Sequence, residues 1–189
     1  KLTKKGFHFV IERSSGVTAH FPDSHYCSFA GVEIADRAAA LNTDLVACIS
    51  RPSEQDLQLM KSGSLLICLA EPYRSDSFFS TLADKKIDCL SLELIPRTSR
   101  AQSMDVLSSQ ANIAGYRAVI DAAYHFGRYF PVMMTSAGMA KPAKVAILGV
   151  GVAGLQAIAT ARRLGASVEA FDVRPEVKEQ ILSLGAKYM

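Results

Sequence analysis

The run Gly149-Val150-Gly151-Val152-Ala153-Gly154 leaves this chain the least freedom in how it folds. It lies between an apolar stretch, Lys144 to Leu148, and a segment of small and aliphatic residues ending near Leu164. A GxGxxG alone says little. One that closes a strand and opens a helix commits the region to the β-α-β unit of a doubly wound parallel sheet. Each glycine has its own reason: Gly149 permits a tight turn, Gly151 lets a diphosphate approach the backbone with no Cβ in the way, and Gly154 allows the helix to pack closely on the strand. The loop, with Val150, Val152 and Ala153 between its glycines, would then offer a diphosphate the free N–H groups of a helix N-terminus. SVEAFD, Ser167 to Asp172, reads as the next strand. A carboxylate at its end, Asp172, can bond both hydroxyls of an adenosine ribose and repel a 2'-phosphate, which favours NAD over NADP. Val173 and Arg174 continue this expected cofactor edge, although an arginine there can also accept a phosphate. A helix is expected from about Pro175 to Leu184.

The first half of the chain has the same rhythm. FHFVIE (Phe7 to Glu12), LVACI (Leu45 to Ile49), LLICLA (Leu65 to Ala70) and IDCLSLE (Ile87 to Glu93) are short β-rich runs separated by helical segments, the signature of parallel strands with crossover helices. Ser53, followed by Glu54 and Asp56, is a sound helix start, and Asp23 after Pro22 is a second candidate. Lys1 to Gly6 reads as the last turn of a helix with a glycine stop. Between the halves, Ala101 to Phe130 contains no proline and spaces Met104, Leu107, Ala111, Ala114, Ala118, Ala122, Phe126 and Tyr129 at a helical period, predicting one long helix or two in line. Pro131, Gly138 and Pro142 then break the chain. The expected architecture is α/β: two Rossmann-like parallel-sheet units, 1–108 and 109–189, joined by a long helix. Both are expected to be incomplete, the first lacking its first strand and the second its later strands.

A polar row precedes the long helix. Gln102, Asp105 and Ser108 step by three, so on a helix each is displaced by about 60° and they wind along one side. Arg97 lies just ahead, and a boundary between two α/β units is where ligands tend to bind.

Composition narrows the function classes. A hydrophobic fraction of 49% supports a real core, and the net charge of +3 is spread along the chain with no basic block, which argues against a nucleic-acid or lipid-headgroup footprint. No apolar run approaches the roughly 20 residues needed to cross a bilayer, so no direct membrane insertion is expected of this segment. Cys27, Cys48, Cys68 and Cys89 form no CxxC pair and read as buried free thiols, and no metal site is expected.

The runs IPRTSRAQSMDVLSSQANIAGYRAV, AKVAILGVGVAGLQAIATARRLGA and AFDVRPEVKEQILSLGA resemble the NAD(H)-binding domain I of proton-translocating nicotinamide nucleotide transhydrogenases, in the form carried by the bacterial alpha subunit. The likeness is strong from Leu94 to Ala186 and looser but collinear from Gly6 to Glu93. It implies that Arg97, Gln102, Asp105 and Ser108 surround the nicotinamide end of NAD(H), while Gly149, Gly151, Gly154 and Asp172 hold the pyrophosphate and adenosine ribose. It also implies direct hydride transfer between NAD(H) here and NADP(H) on a partner component, a membrane-spanning component that couples transfer to proton movement, and a homodimer. The location implied is cytoplasmic and peripheral to the inner membrane in a bacterium, or the matrix side in a mitochondrion. These transhydrogenases are similar in fold to alanine dehydrogenases, the alternative reading. An alanine dehydrogenase needs a lysine and a histidine to bind and deprotonate its amino acid, and this chain has Ala47-Cys48-Ile49-Ser50-Arg51-Pro52 and Leu69-Ala70-Glu71-Pro72 at those places. A non-catalytic NAD-sensing module is a third reading, which leaves Arg97, Gln102 and Asp105 without a purpose.

Overall fold

The β-rich runs become parallel strands joined by helices. The structure, a computed structural model, describes all residues Lys1–Met189 and divides into two compact units, Lys1–Met104 and Asp105–Met189.

The first unit opens with a 3-10 turn, Thr3–Lys5, stopped by Gly6 at φ 85°, as the glycine after two lysines predicts. There follow β1 (Phe9–Glu12), α1 (Asp23–Cys27), β2 (Val32–Ala35), α2 (Arg37–Leu41), β3 (Leu45–Ser50), α3 (Glu54–Leu59), β4 (Leu65–Leu69), α4 (Phe78–Asp84) and β5 (Asp88–Ser91). All pairings are parallel: β1 with β2, and β3-β4-β5 in that order. Val46, Leu66 and Cys68 from the larger sheet form one core with Leu57, Phe78 and Leu82 of the helices. Ser53 caps α3 in a full capping box with Asp56, each side chain bonding the other's backbone N–H. Asp56 does more than cap. Its carboxylate also receives a fork from Arg37 (Nε to Oδ1 2.7 Å, Nη2 to Oδ2 2.8 Å), and Arg37 reaches on to Glu12 at 2.9 Å, tying the starts of α2 and α3 to the end of β1. The guanidinium holds the Asp56 carboxyl well below the usual carboxylate range.

Three expectations for this unit need correction. VEIA forms β2, which the sequence does not announce because one short alternation around Glu33 carries little signal. Asp23 does not cap α1; its Oδ1 accepts the Ser14 N–H at 2.9 Å, a distant donor invisible to local spacing. Of the thiols only Cys68 is fully buried, while Cys27 is exposed, because it lies on α1 outside the sheet core.

The second unit contains α5 (Val106–His125), a hairpin of β6 (Met133–Thr135) and β7 (Gly138–Ala140), then β8 (Lys144–Leu148), α6 (Val152–Arg163), β9 (Ser167–Phe171), α7 (Lys178–Ser183) and β10 (Lys187–Tyr188). The parallel sheet runs β10-β9-β8, the arrangement of one half of a doubly wound fold. Ile158, Ala161, Val168, Ala170 and Ile181 fill its core. The proline-marked break after α5 contains an antiparallel hairpin, and a third strand follows α7; neither is foreseen in the sequence, because strands of two or three residues show no periodicity. Of one long helix or two in line, the structure has the second: a 3-10 helix, Ser99–Met104, followed by α5. It starts at Val106, and its buried face carries Gly115 and Val119 with Ala111 and Ala123 partly buried, whereas Ala114, Ala118 and Ala122 are exposed. Alanine is apolar enough to lie on either face, so the spacing predicts a helix here without saying which side is buried.

Candidate nucleotide-binding site

The loop leaving β8 turns at Gly149, whose φ of 89° lies in the left-handed region where a Cβ is disfavoured. Its N–H donates to the Phe171 carbonyl at 2.8 Å, continuing the β8–β9 pairing into the turn. Gly154 is required by packing: a Cβ there would lie 2.0 Å from the Gly149 carbonyl oxygen, so only glycine lets α6 sit this close to the turn. Gly151 is different. Its backbone is extended at φ −80°, ψ −162°, and a Cβ built on it meets no atom within 4 Å. Neither conformation nor internal packing demands glycine at this position. It is the N-cap of α6 and supplies no side chain to the helix start, leaving the first N–H groups of a 12-residue helix without a side-chain cap.

Asp172, just beyond the end of β9, is only 7% exposed. Its Oδ2 accepts the Val150 N–H at 2.7 Å, which pins the loop, and its Oδ1 accepts the Arg174 N–H at 2.9 Å. The Arg174 guanidinium completes the set, with Nε 3.0 Å from Oδ1 and Nη2 3.2 Å from both Oδ2 and the Val150 carbonyl. The guanidinium first, then the two backbone N–H groups, hold the Asp172 carboxyl well below the usual carboxylate range, and Arg174 is raised in turn. The fold therefore gathers Val150, Asp172 and Arg174 at the loop. Val173 stands 85% exposed beside them, Val152 is exposed in the first turn of α6, and Ala153 is half-buried there.

Ala153 also explains a residue that sequence reasoning missed. A Cβ on Gly115 of α5 would lie 2.1 Å from the Ala153 carbonyl oxygen, so α5 crosses the first turn of α6 at backbone contact. Next to this crossing, Asn112 Nδ2 donates to Gln156 Oε1 at 3.2 Å, and Gln156 Nε2 to Thr160 Oγ1 at 3.1 Å. A signal was present: a lone glycine inside a strong helix pattern costs about 1 kcal/mol against alanine and usually has a packing reason.

The polar row is not one helical face. Ser99–Met104 is a 3-10 helix, and Asp105, at φ −75° and ψ 86°, is the N-cap of α5. Its Oδ1 accepts the Ser108 N–H at 2.9 Å and its Oδ2 the Ser108 hydroxyl at 2.6 Å, a cap that requires non-helical backbone at Asp105 and so interrupts the row. Arg97 and Gln102 belong to the first unit, where both are exposed, and Asp105 and Ser108 open the second. At the two places where the resemblance to alanine dehydrogenases would put a lysine and a histidine, the side chains and backbone here serve the first unit itself. Arg51 pairs with Asp76 and lies 4.8 Å from the Phe78 ring centre, while Glu93 accepts the N–H groups of Ala70 and Glu71 at 3.0 and 2.8 Å.

Residues 1–114 match the family described as alanine dehydrogenase/PNT, N-terminal domain, and residues 118–189 its C-terminal domain. The whole chain is 49% identical to a component of the NAD(P) transhydrogenase alpha subunit of Rhodospirillum rubrum, covering 51% of that protein. It is 42% identical to the NAD(P) transhydrogenase alpha subunit of Haemophilus influenzae, covering 37% of it. A transhydrogenase crystal structure from Sinorhizobium meliloti superimposes with a TM-score of 0.95 at 49% identity, over all of this chain and 56% of that one. An L-alanine dehydrogenase structure follows at TM-score 0.84 and 26% identity, over 99% of this chain and 53% of that one. The chain thus spans about half the length, or less, of the relatives it matches. With both of its units matched in order and the glycine loop in place at β8–α6, the chain belongs to the alanine dehydrogenase/PNT family.

Proposed function

We propose that the second unit binds NAD(H) at the Gly149–Gly154 loop and Asp172, as the NAD(H)-binding component of a proton-translocating transhydrogenase. One observation carries the nucleotide reading: Gly151 is a glycine that nothing inside the protein requires, so its missing Cβ leaves room for something arriving from outside. A diphosphate suits that opening, since the uncapped N–H groups of α6 converge there. The identity with transhydrogenase alpha subunits, together with the absence of the dehydrogenase lysine and histidine, supports transhydrogenase over alanine dehydrogenase.

On this reading the loop holds the pyrophosphate, with Val150, Val152 and Ala153 lining it, and Asp172 takes the ribose hydroxyls with Val173 and Arg174 beside it. Arg97, Gln102, Asp105 and Ser108 orient the nicotinamide ring. Bound NAD(H) supplies or takes the hydride, which passes to or from NADP(H) on a partner component. The chain's residues need only position the ring and exclude water, because no proton moves at the reacting carbon. Coupling to proton movement belongs to a membrane-spanning partner; no helix of this chain is long and apolar enough to cross a membrane. The functional unit is a homodimer at the cytoplasmic face of the inner membrane, or the matrix face in a mitochondrion.

The test compares two glycines. Gly151→Ala should leave stability within about 0.5 kcal/mol, as for a surface change, yet weaken NADH binding at least about tenfold, or 1.4 kcal/mol. Gly154→Ala should lose stability and binding together. Unaltered NADH affinity in Gly151→Ala, by calorimetric titration, would refute the site.

A further inference from the structure

The Asp172 carboxylate is saturated. A carboxylate offers about four acceptor positions, and here four donors occupy them: the Val150 N–H and Arg174 Nη2 on Oδ2, and the Arg174 N–H and Nε on Oδ1. Two of these donors are backbone groups that shape the loop and the turn after β9, so they cannot leave without undoing both. The other two belong to one guanidinium whose side chain is 51% exposed. Its remaining bond, from Nη2 to the Val150 carbonyl at 3.2 Å, also ends on the loop.

From this we infer that Arg174 is a latch on the adenosine end of the site: its guanidinium competes with the ribose hydroxyls for the same two oxygens and must swing out before a nucleotide can engage Asp172. The inference rests on the nucleotide reading of the loop and gives Arg174 a role opposite to that of a simple ligand. Latched, it withholds the carboxylate from a diol and neutralises the charge that repels a 2'-phosphate, so it weakens NAD(H) binding and blunts discrimination against NADP(H). A competitor that holds a site closed for a fraction of the time raises the apparent Kd by the inverse of the open fraction. A latch closed in nine molecules of ten therefore costs about tenfold in affinity.

The measurement is equilibrium titration of the protein with ADP-ribose, NADH, NADPH and reduced nicotinamide mononucleotide, which lacks the adenosine. Arg174→Met keeps the length of the stem and removes the fork. It should tighten ADP-ribose and NADH by about three- to tenfold, weaken or leave unchanged NADPH, and leave the mononucleotide unaffected. Arg174→Lys, which keeps the charge without the paired donors, should fall between parent and Arg174→Met, and serves if the methionine variant is poorly folded. Unchanged or weaker ADP-ribose binding in both variants would overturn the latch and make Arg174 an ordinary ligand or a bystander. Tightening of the mononucleotide by the same factor would overturn it too, since the effect would not be at the adenosine. A parent that binds none of the four nucleotides would remove the nucleotide reading and the latch with it. Parent binding without tightening removes the latch alone.

Discussion

Asp172 joins two jobs that are separable by substitution. Its Oδ2 fixes the loop through the Val150 N–H, and under the proposed function its charge sets which nucleotide the site admits. Asp172→Asn keeps an oxygen for Val150 but removes the charge, so the preference for NADH over NADPH should narrow by about tenfold or more, a change of ~1.4 kcal/mol, with a smaller loss in NADH affinity. Equal narrowing in an Arg174 variant that leaves Asp172 intact would show that charge repulsion is not the discriminator. The same carboxylate predicts a pH dependence. Its folded pKa is depressed below the ordinary value of about 3.9. The stability it contributes is therefore full above about pH 4 and lost as pH falls through the folded value. Urea unfolding of parent and Asp172→Asn should give a constant difference from pH 7 to 5 that shrinks toward pH 3; a difference that already shrank between pH 7 and 6 would assign the effect to another group.

Among the elements, the crossing of α5 on α6 matters most to the site, because Gly115 lets α5 touch the first turn of the helix that starts at the loop. Gly115→Ala would improve intrinsic helix propensity by about 1 kcal/mol but drive a methyl into the Ala153 carbonyl, and such overpacking costs about 1–3 kcal/mol. The expected outcome is a lower Tm and weaker ADP-ribose binding together, since moving the first turn of α6 moves the N–H groups at the loop. A variant with a raised Tm and parent affinity would show that α5 yields freely and does not position the loop. The contrast with Gly151→Ala, where only binding should change, separates a glycine kept for a neighbour from one kept for a ligand.

At the scale of the whole molecule, the proposed function assigns Gln102 to transfer more than to binding. Hydride transfer depends on ring placement within about 0.5 Å, whereas affinity is spread over the entire dinucleotide. Gln102→Asn withdraws the amide by one methylene. NADH affinity should fall only a few-fold, while single-turnover transfer in a complex with the proposed NADP(H)-binding partner should fall at least about tenfold, an activation cost of ~1.4 kcal/mol. Losses in equal proportion, or parent-rate transfer at saturation, would leave Gln102 a binding residue only.

Features that depend on neighbours along the chain can be read from the chain alone. β8, the glycine loop, α6 and β9 are legible because a short strand, a turn needing φ above zero and an apolar helix face are each written within a few residues. The Ser53 cap is legible for the same reason, its partner being three residues away. Features that depend on distant partners were settled only by folding. The buried face of α5 is set by contact with α6 rather than by its own alanines, so the spacing predicts the helix but not which side is buried. β2, β6, β7 and β10 exist because another strand is there to pair with them; β6, β7 and β10 are too short to announce themselves, and the single alternation of β2 around Glu33 carries little signal. Asp105 reads as part of a helical row, yet its side chain bonds Ser108 and ends that row, while Asp23 turns to Ser14 instead of its own helix. At the site, spacing placed Asp172 beside the loop but could not show the guanidinium lying over it. Which donor occupies a carboxylate is settled by three-dimensional geometry, and a sequence records only which donors are available.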